Sequence, residues 1–224
     1  MSGRVSYLGG IVKDGLILDL DAGKLDSYNR LGTTWNDVSG NRNNGTLINF
    51  DSNRWDSNNG GRIIFDGVDS YIETSYNLGT VTRQTISCWI NKTNTQFSLI
   101  LAKSTLYYGL EIYPTTIYVN VSNDQYGYVN YNVNGWQNIT FTYDGTQSGN
   151  INRLKIYLNG VNQSLTFVGT IPSSVSVSDV IQIGRRWWSP IYSQGSVSNV
   201  QIYNRALFAS EVLQNYNATK WRFQ

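Results

Sequence analysis

From Gly15 to Tyr203 the chain is a succession of short segments in which apolar and polar residues alternate, each closed by a turn signal rich in Gly, Asn, Asp or Ser. Successive side chains of an extended strand point to opposite faces, so a period of two predicts half-buried strands of a sandwich or barrel and not amphipathic helices. In "WQNITFTYDG" (136–145) Ile139, Phe141 and Tyr143 share one face and Asn138, Thr140 and Thr142 the other, which predicts a core face and a polar face. "RLKIYLNG" (153–160) repeats this with Leu154, Ile156 and Leu158 inward, and it ends in Asn159-Gly160, a tight-turn pair because both residues tolerate positive φ. Further strands are expected at 16–21, 62–67, 71–74, 84–92, 97–104, 108–113, 116–121, 180–185 and 196–206. One helix is expected near the C-terminus, where Ser210 can N-cap "EVLQNY" and place Leu213 and Tyr216 on its packed side. The expected fold class is all-β, an antiparallel β-sandwich with one short C-terminal helix. At 224 residues a single domain suffices.

Several chemistries lose their residues at once. The chain has no histidine and one cysteine, Cys88, which removes His-based metal sites, Ser-His and Cys-His nucleophiles, and any internal disulfide. A formal net charge of +2 without a basic run gives no footprint for nucleic acid. No window has the length and apolarity to span a bilayer, and "MSGRVSYLGGIVKDG" lacks the apolar stretch of a secretory signal. Retaining glycoside hydrolysis needs two carboxyl groups held about 5–5.5 Å apart. The glutamates, Glu73, Glu111 and Glu211, are widely separated, and the Asp19/Asp21 pair sits in the first strand motif, so the chain is expected not to be an enzyme. Glu111, in "GLEIYP", is the first acid to mutate in a test of that expectation.

The binding candidates are aromatic. In "DQYGYVNYN" Tyr126 and Tyr128 share a face that Asn130 continues and Tyr131 is expected to join, a tyrosine and amide surface suited to sugar or protein. "GRRWWSPIY" (184–192) lies between two strands and is expected to be a loop at one end of the sandwich. Two adjacent tryptophans in an extended segment cannot both face inward, so Trp187 or Trp188 is expected to be exposed or covered by another chain. Arg185, Arg186 and Tyr192 complete this group, whose composition fits an intersubunit contact foremost, then a loop anchor, a sugar platform or a nucleic-acid contact. Trp89 and Trp136 lie inside strand motifs and are expected to be structural.

Ordered motifs add a resemblance. "GLILDLDAGKLDSY", "TTWNDVSGNRNNGTLIN" and "GGRIIFDGVDSYIET", followed by "TISCWI", "NGWQNITFTYDG", "RLKIYLNG", "IQIGR" and "VSNVQIYNRALFASEVLQNYNATKWRF", resemble the concanavalin A-like, laminin-G-like jelly rolls found in virion proteins of tailed bacteriophages. The likeness runs from about Gly15 to Phe223 and implies residues 1–14 as an N-terminal arm and 15–224 as the jelly-roll domain. It further implies a non-catalytic virion structural protein, a capsid decoration or a head or tail fibre component, made in the host cytoplasm and joined to other virion proteins through the arm. The arm is expected to be ordered by a neighbouring subunit. The alternative is a carbohydrate-binding module for host-surface or environmental glycans, and a weaker one a glycan hydrolase. No cofactor is expected. The family's calcium, if present, would draw on Asp37, Asp66, Asp69 and loop carbonyls, although turn formation is the plainer use of these aspartates, and Asn199 replaces an acid that relatives often carry.

Overall fold

A computed structural model of the chain describes residues 9–92, 97–102 (backbone path), 108–132, 135–186 and 191–224. In chain order the strands are β1 (Leu16–Asp21), β2 (Thr34–Trp35), β3 (Gly45–Ile48), β4 (Trp55–Asp56), β5 (Arg62–Asp66), β6 (Tyr71–Val81), β7 (Arg83–Lys92), β8 (Phe97–Ala102), β9 (Gly109–Ile112) and β10 (Thr116–Ser122). They continue as β11 (Gln125–Asn130), β12 (Trp136–Asp144), β13 (Leu154–Leu158), β14 (Val161–Gln163), β15 (Thr166–Val168), β16 (Val175–Ile183), β17 (Arg185–Arg186), β18 (Ile191–Tyr192) and β19 (Gln194–Tyr203). A single-turn helix α1 (Asn150–Arg153) and the C-terminal helix α2 (Ala209–Thr219) accompany them.

Two antiparallel sheets stack face to face. The first runs β14, β13, β12, β7, β19, β5, β4, with β1 sharing the β5 edge of β19. The second runs β15, β11, β10, β9, β8, β16, β6, β3, β2, and β17 pairs with β18 in a small hairpin of its own. The core between the sheets takes Ile86, Ile139, Phe141, Ile156, Val200 and Ile202 from the first and Ile72, Leu110, Ile112, Ile117, Val119, Ile181 and Ile183 from the second, all fully buried. Each belongs to the apolar half of an alternating segment, so period two builds the layer. Asn159 and Gly160, at φ 52° and 80°, make the tight turn from β13 to β14.

The outer face of the first sheet departs from expectation. Asn138, Thr140 and Thr142 are polar but buried, because α2 and the segment before β1 lie on that side. Their polar atoms are satisfied inside the sheet: the Ser87 and Thr140 hydroxyls are 2.7 Å apart, and Asn138 Nδ2 donates to the Cys88 carbonyl at 3.2 Å. The N-cap of helix α2 is Phe208 and not Ser210: Glu211, held by Arg205 at 2.6 Å, accepts from Phe208 N at 2.8 Å, so the third helical residue closes the N-terminus. The helix buries Val212 and Asn215, and Tyr216 stacks on Trp89, whereas Leu213 is 44% exposed. Of the N-terminal arm, Gly10 to Lys13 is held by its own chain, with Val12 N on Asn215 Oδ1 at 2.8 Å and Gln214 Nε2 on the Gly10 carbonyl at 2.8 Å. The expected subunit contact is therefore not needed to order these residues.

The connection through "WNDVSGNRNNGT" is strand-paired at both ends. Its ends form β2 and β3, which pair with each other and add to the edge of β6. Trp35 is fully buried and anchors this connection in the core.

Candidate functional site

The meander β9, β10, β11 presents a polar, aromatic outer face. Leu110, Ile112, Ile117, Val119 and Val121 point into the core, so parity turns Glu111, Tyr113, Tyr118, Asn120, Tyr126 and Tyr128 outward. Register makes them neighbours: Tyr118 stands opposite Glu111 on one side and Tyr128 on the other, and Asn120 stands opposite Tyr126. Tyr118 is the hub, with ring centroids 5.3 Å from Tyr113, 5.7 Å from Tyr126 and 5.6 Å from Tyr128. Edge and tilted contacts of this kind each add about 1 kcal/mol beyond area burial, so the rings form one stiff platform.

Glu111 lies at the base of this platform, and Arg186 reaches it from β17. The guanidinium donates from Nε to Glu111 Oε1 at 2.7 Å and from Nη2 to the Tyr113 hydroxyl, and Nη2 also lies 2.5 Å from Glu111 Oε1 as an ion pair. Asn120 Nδ2 donates to Glu111 Oε2 at 3.2 Å. Burial disfavours the charge on Arg186, but Glu111 and Tyr113 outweigh it and hold the guanidinium above its ordinary range. Burial, with the rings and Glu111 around it, likewise raises the Tyr118 hydroxyl, which stays neutral at physiological pH. Glu111, Tyr113, Tyr118, Asn120, Asn123, Tyr126 and Arg186 line an open depression of about 390 Å³. A larger cleft, about 540 Å³, lies where the arm meets the C-terminal end, but its charges are spent in packing: Arg222 on Asp21 at 2.8 Å and Lys24 on Asp19 at 3.4 Å.

The sequence candidates divide. Arg186, Tyr126 and Tyr128 meet at the depression, together with Glu111. Arg185 turns the other way, over the rings of Tyr71 at 4.8 Å and Tyr192 at 5.7 Å, so Arg185 and Tyr192 form a separate cluster. Tyr131 does not join the face: it follows Val129 inward, packs against the core and donates its hydroxyl to Gln137 Oε1 at 3.1 Å. Trp187 and Trp188 lie outside the described residues, while both ends of their loop are strand-paired as β17 and β18. Tyr113, Tyr118, Asn120 and Asn123 were not singled out from the sequence. Trp89 and Trp136 are structural, Trp89 stacking on Phe223 at 4.0 Å and Trp136 donating to Asn59 Oδ1 at 2.9 Å.

Two of the three aspartates considered for calcium, Asp37 and Asp66, are turn formers. Asp37 Oδ1 accepts from Asp19 N and Ser39 N, both at 2.8 Å, and its Oδ2 from Ser39 Oγ and Asn43 N. Asp66 Oδ1 accepts from Val68 N, Asp69 N, Ser70 N and Ser70 Oγ; burial opposes the charge, yet these donors leave the carboxyl below its ordinary range. The Asp37 oxygens and Asp66 Oδ1 thus face hydrogen-bond donors, and among the described residues no three acidic side chains converge.

Comparison with solved structures finds the same fold. Domain 4 of AbnA, an extracellular arabinanase from Geobacillus stearothermophilus solved in complex with arabinotriose, is 16% identical over 90% of this chain and 98% of its own, with a TM-score of 0.63. A botulinum neurotoxin type C structure, described as interacting with two ganglioside molecules, is 15% identical over 93% of this chain and 52% of its own, TM-score 0.66. Trypanosoma rangeli sialidase with the inhibitor DANA is 15% identical over 100% of this chain and 36% of its own, TM-score 0.60. The chain thus spans about half of the neurotoxin chain and about a third of the sialidase. Identities this low show shared fold alone. No curated protein matches the sequence. The Laminin_G_3 family model matches residues 66–213, which include the whole β9–β11 face, and the chain belongs to this family of the concanavalin A-like lectin/glucanases superfamily.

Proposed function

We propose that this chain is a carbohydrate-binding module that holds a glycan on the tyrosine face of its second sheet without cleaving it. The observation that carries the reading is the Tyr118-centred platform set beside the buried Glu111 and Asn120 and the partly buried Arg186 in one open depression. Sugar rings offer apolar C–H faces to aromatic rings and hydroxyls to fixed amide, phenol and carboxylate groups, which is the mixture present here. Arabinotriose on the arabinanase domain and gangliosides for the neurotoxin agree with this use of the fold. Hydrolysis finds less support, since Glu111 is the sole carboxylate among the residues lining the depression and is engaged by Arg186. The test is a glycan array followed by calorimetry on the best binder. Tyr118→Ala is expected to weaken binding at least about tenfold while the domain stays folded. A folded parent that binds no glycan, or a Tyr118→Ala variant with parental affinity, refutes the reading.

The virion setting is the second reading, carried by the ordered motifs of "GLILDLDAGKLDSY" to "VSNVQIYNRALFASEVLQNYNATKWRF". On it the same domain is displayed from a head or fibre through residues 1–8, because Gly10 to Lys13 is already engaged within the chain. Incorporation into particles that survives deletion of residues 1–8 would count against that attachment.

A further inference from the structure

We infer that the tyrosine face selects uncharged sugars, neutral pentose or hexose rings, against sialic and uronic acids; this rests on the glycan-binding reading above. The depression has two charged groups among its lining residues, Glu111 and Arg186, and they cancel each other at 2.5 Å. A sugar carboxylate that sought Arg186 would have to share it with Glu111, placing two like charges around one guanidinium. It could not draw the guanidinium away either, because Glu111 is only 6% exposed and would be left as a buried, unpaired charge. The neighbouring Arg185 does not substitute, since its side chain is turned onto Tyr71 and Tyr192.

The rest of the site points the same way. Tyr113, Tyr118 and Tyr126 supply neutral ring faces and hydroxyls, and Asn120 and Asn123 supply amides. Asp124, exposed in the turn from β10 to β11 and next in sequence to the lining residue Asn123, puts a negative charge on that turn. A formal net charge of +2 on the whole chain provides little field to override these local charges. Discrimination therefore comes from a repulsive element, an acid already occupying the one cation among the described residues of the site.

The experiment compares matched neutral and acidic oligosaccharides, lactose against sialyllactose and arabinotriose against a uronate trimer, by calorimetry at low and physiological salt. The parent is expected to bind a neutral member at least about tenfold more tightly than its acidic counterpart, since juxtaposed like charges cost more than one such factor. Glu111→Gln frees Arg186 from its partner's charge and is expected to narrow or invert the preference. Asp124→Asn, an exposed change that leaves the fold alone, is expected to narrow it by a smaller factor that vanishes at high salt. Equal or tighter binding of the acidic member by the parent overturns the inference and leaves glycan binding standing. Unchanged preference in a folded Glu111→Gln overturns the assignment to the ion pair. Absence of binding to every probe by the folded parent overturns the glycan-binding reading and the inference with it.

Discussion

Removing Arg186 should unfold this domain more readily than its position beside a surface loop suggests. The Arg186 and Glu111 side chains are only 13% and 8% exposed, and the guanidinium donates from Nε to Glu111 Oε1 with a second nitrogen 2.5 Å from the same oxygen. Truncating one partner of a buried pair costs about 3–5 kcal/mol, mostly because the other charge stays behind without water. Asn120 still donates to Glu111 Oε2 in the variant and some solvent reaches the site, so the lower end applies, about 3 kcal/mol. For a chain of this size that is a fall in melting temperature of roughly 6–12 °C. Urea and thermal unfolding of Arg186→Ala, followed by circular dichroism at pH 7.5, measure it. Arg186→Ala combined with Glu111→Gln carries no stranded charge and should be more stable than Arg186→Ala alone, by about 1–2 kcal/mol. Two results would refute the reasoning: Arg186→Ala within about 0.5 kcal/mol of the parent, or a double variant no more stable than the single one.

Two further outcomes test the frame around the site. Gly184, which links β16 to β17, has φ +86°, and a Cβ there would lie 2.3 Å from the Phe65 ring, so Gly184→Ala should lower stability by about 2–4 kcal/mol; an unchanged urea midpoint contradicts this. The hydrogen bonds from Arg205, against some burial cost, hold the Glu211 carboxyl below its ordinary range, so its contribution is complete above the unfolded glutamate value near ~4.3 and is lost as pH falls through the lower folded value. Glu211→Gln should therefore cost about 1 kcal/mol at pH 7 and little near pH 3, and a difference of equal size at both pH values would show that the capping charge is not the source.

Period two was sufficient to place most of the long strands, because the same residues that alternate in sequence, such as Ile139, Phe141 and Tyr143, line the buried layer. It was not sufficient to say that Asn138, Thr140 and Thr142 would also be buried. Their cover is brought by the arm and α2, tied together by a contact between residues 203 apart, Val12 and Asn215, and no local pattern encodes such a meeting. The helix start was misplaced for a related reason: Ser210 has a capping side chain, but Arg205 positions Glu211 to take the Phe208 N–H first.

The candidate site was half legible, and the missing half obeys the rule that was applied elsewhere. Parity alone puts Tyr113 on the face of Glu111, and Tyr118 and Asn120 on the face opposite Ile117 and Val119. What parity omits is the register across strands, set by the two turns of the meander, which makes Tyr118 the common neighbour of Glu111 and Tyr128. The same rule disposes of Tyr131, which is odd where Tyr126 and Tyr128 are even and so follows Val129 into the core. In "GRRWWSPIY" opposed facing was applied to the adjacent tryptophans, yet it holds equally for the adjacent arginines. Extended at β17, they must diverge: Arg186 goes down to Glu111 and becomes part of the depression, and Arg185 goes to Tyr71 and Tyr192. A dipeptide that reads as one basic patch thus supplies a single guanidinium to the site, already neutralised by a buried acid, which is why the face is aromatic and amide in character and not cationic.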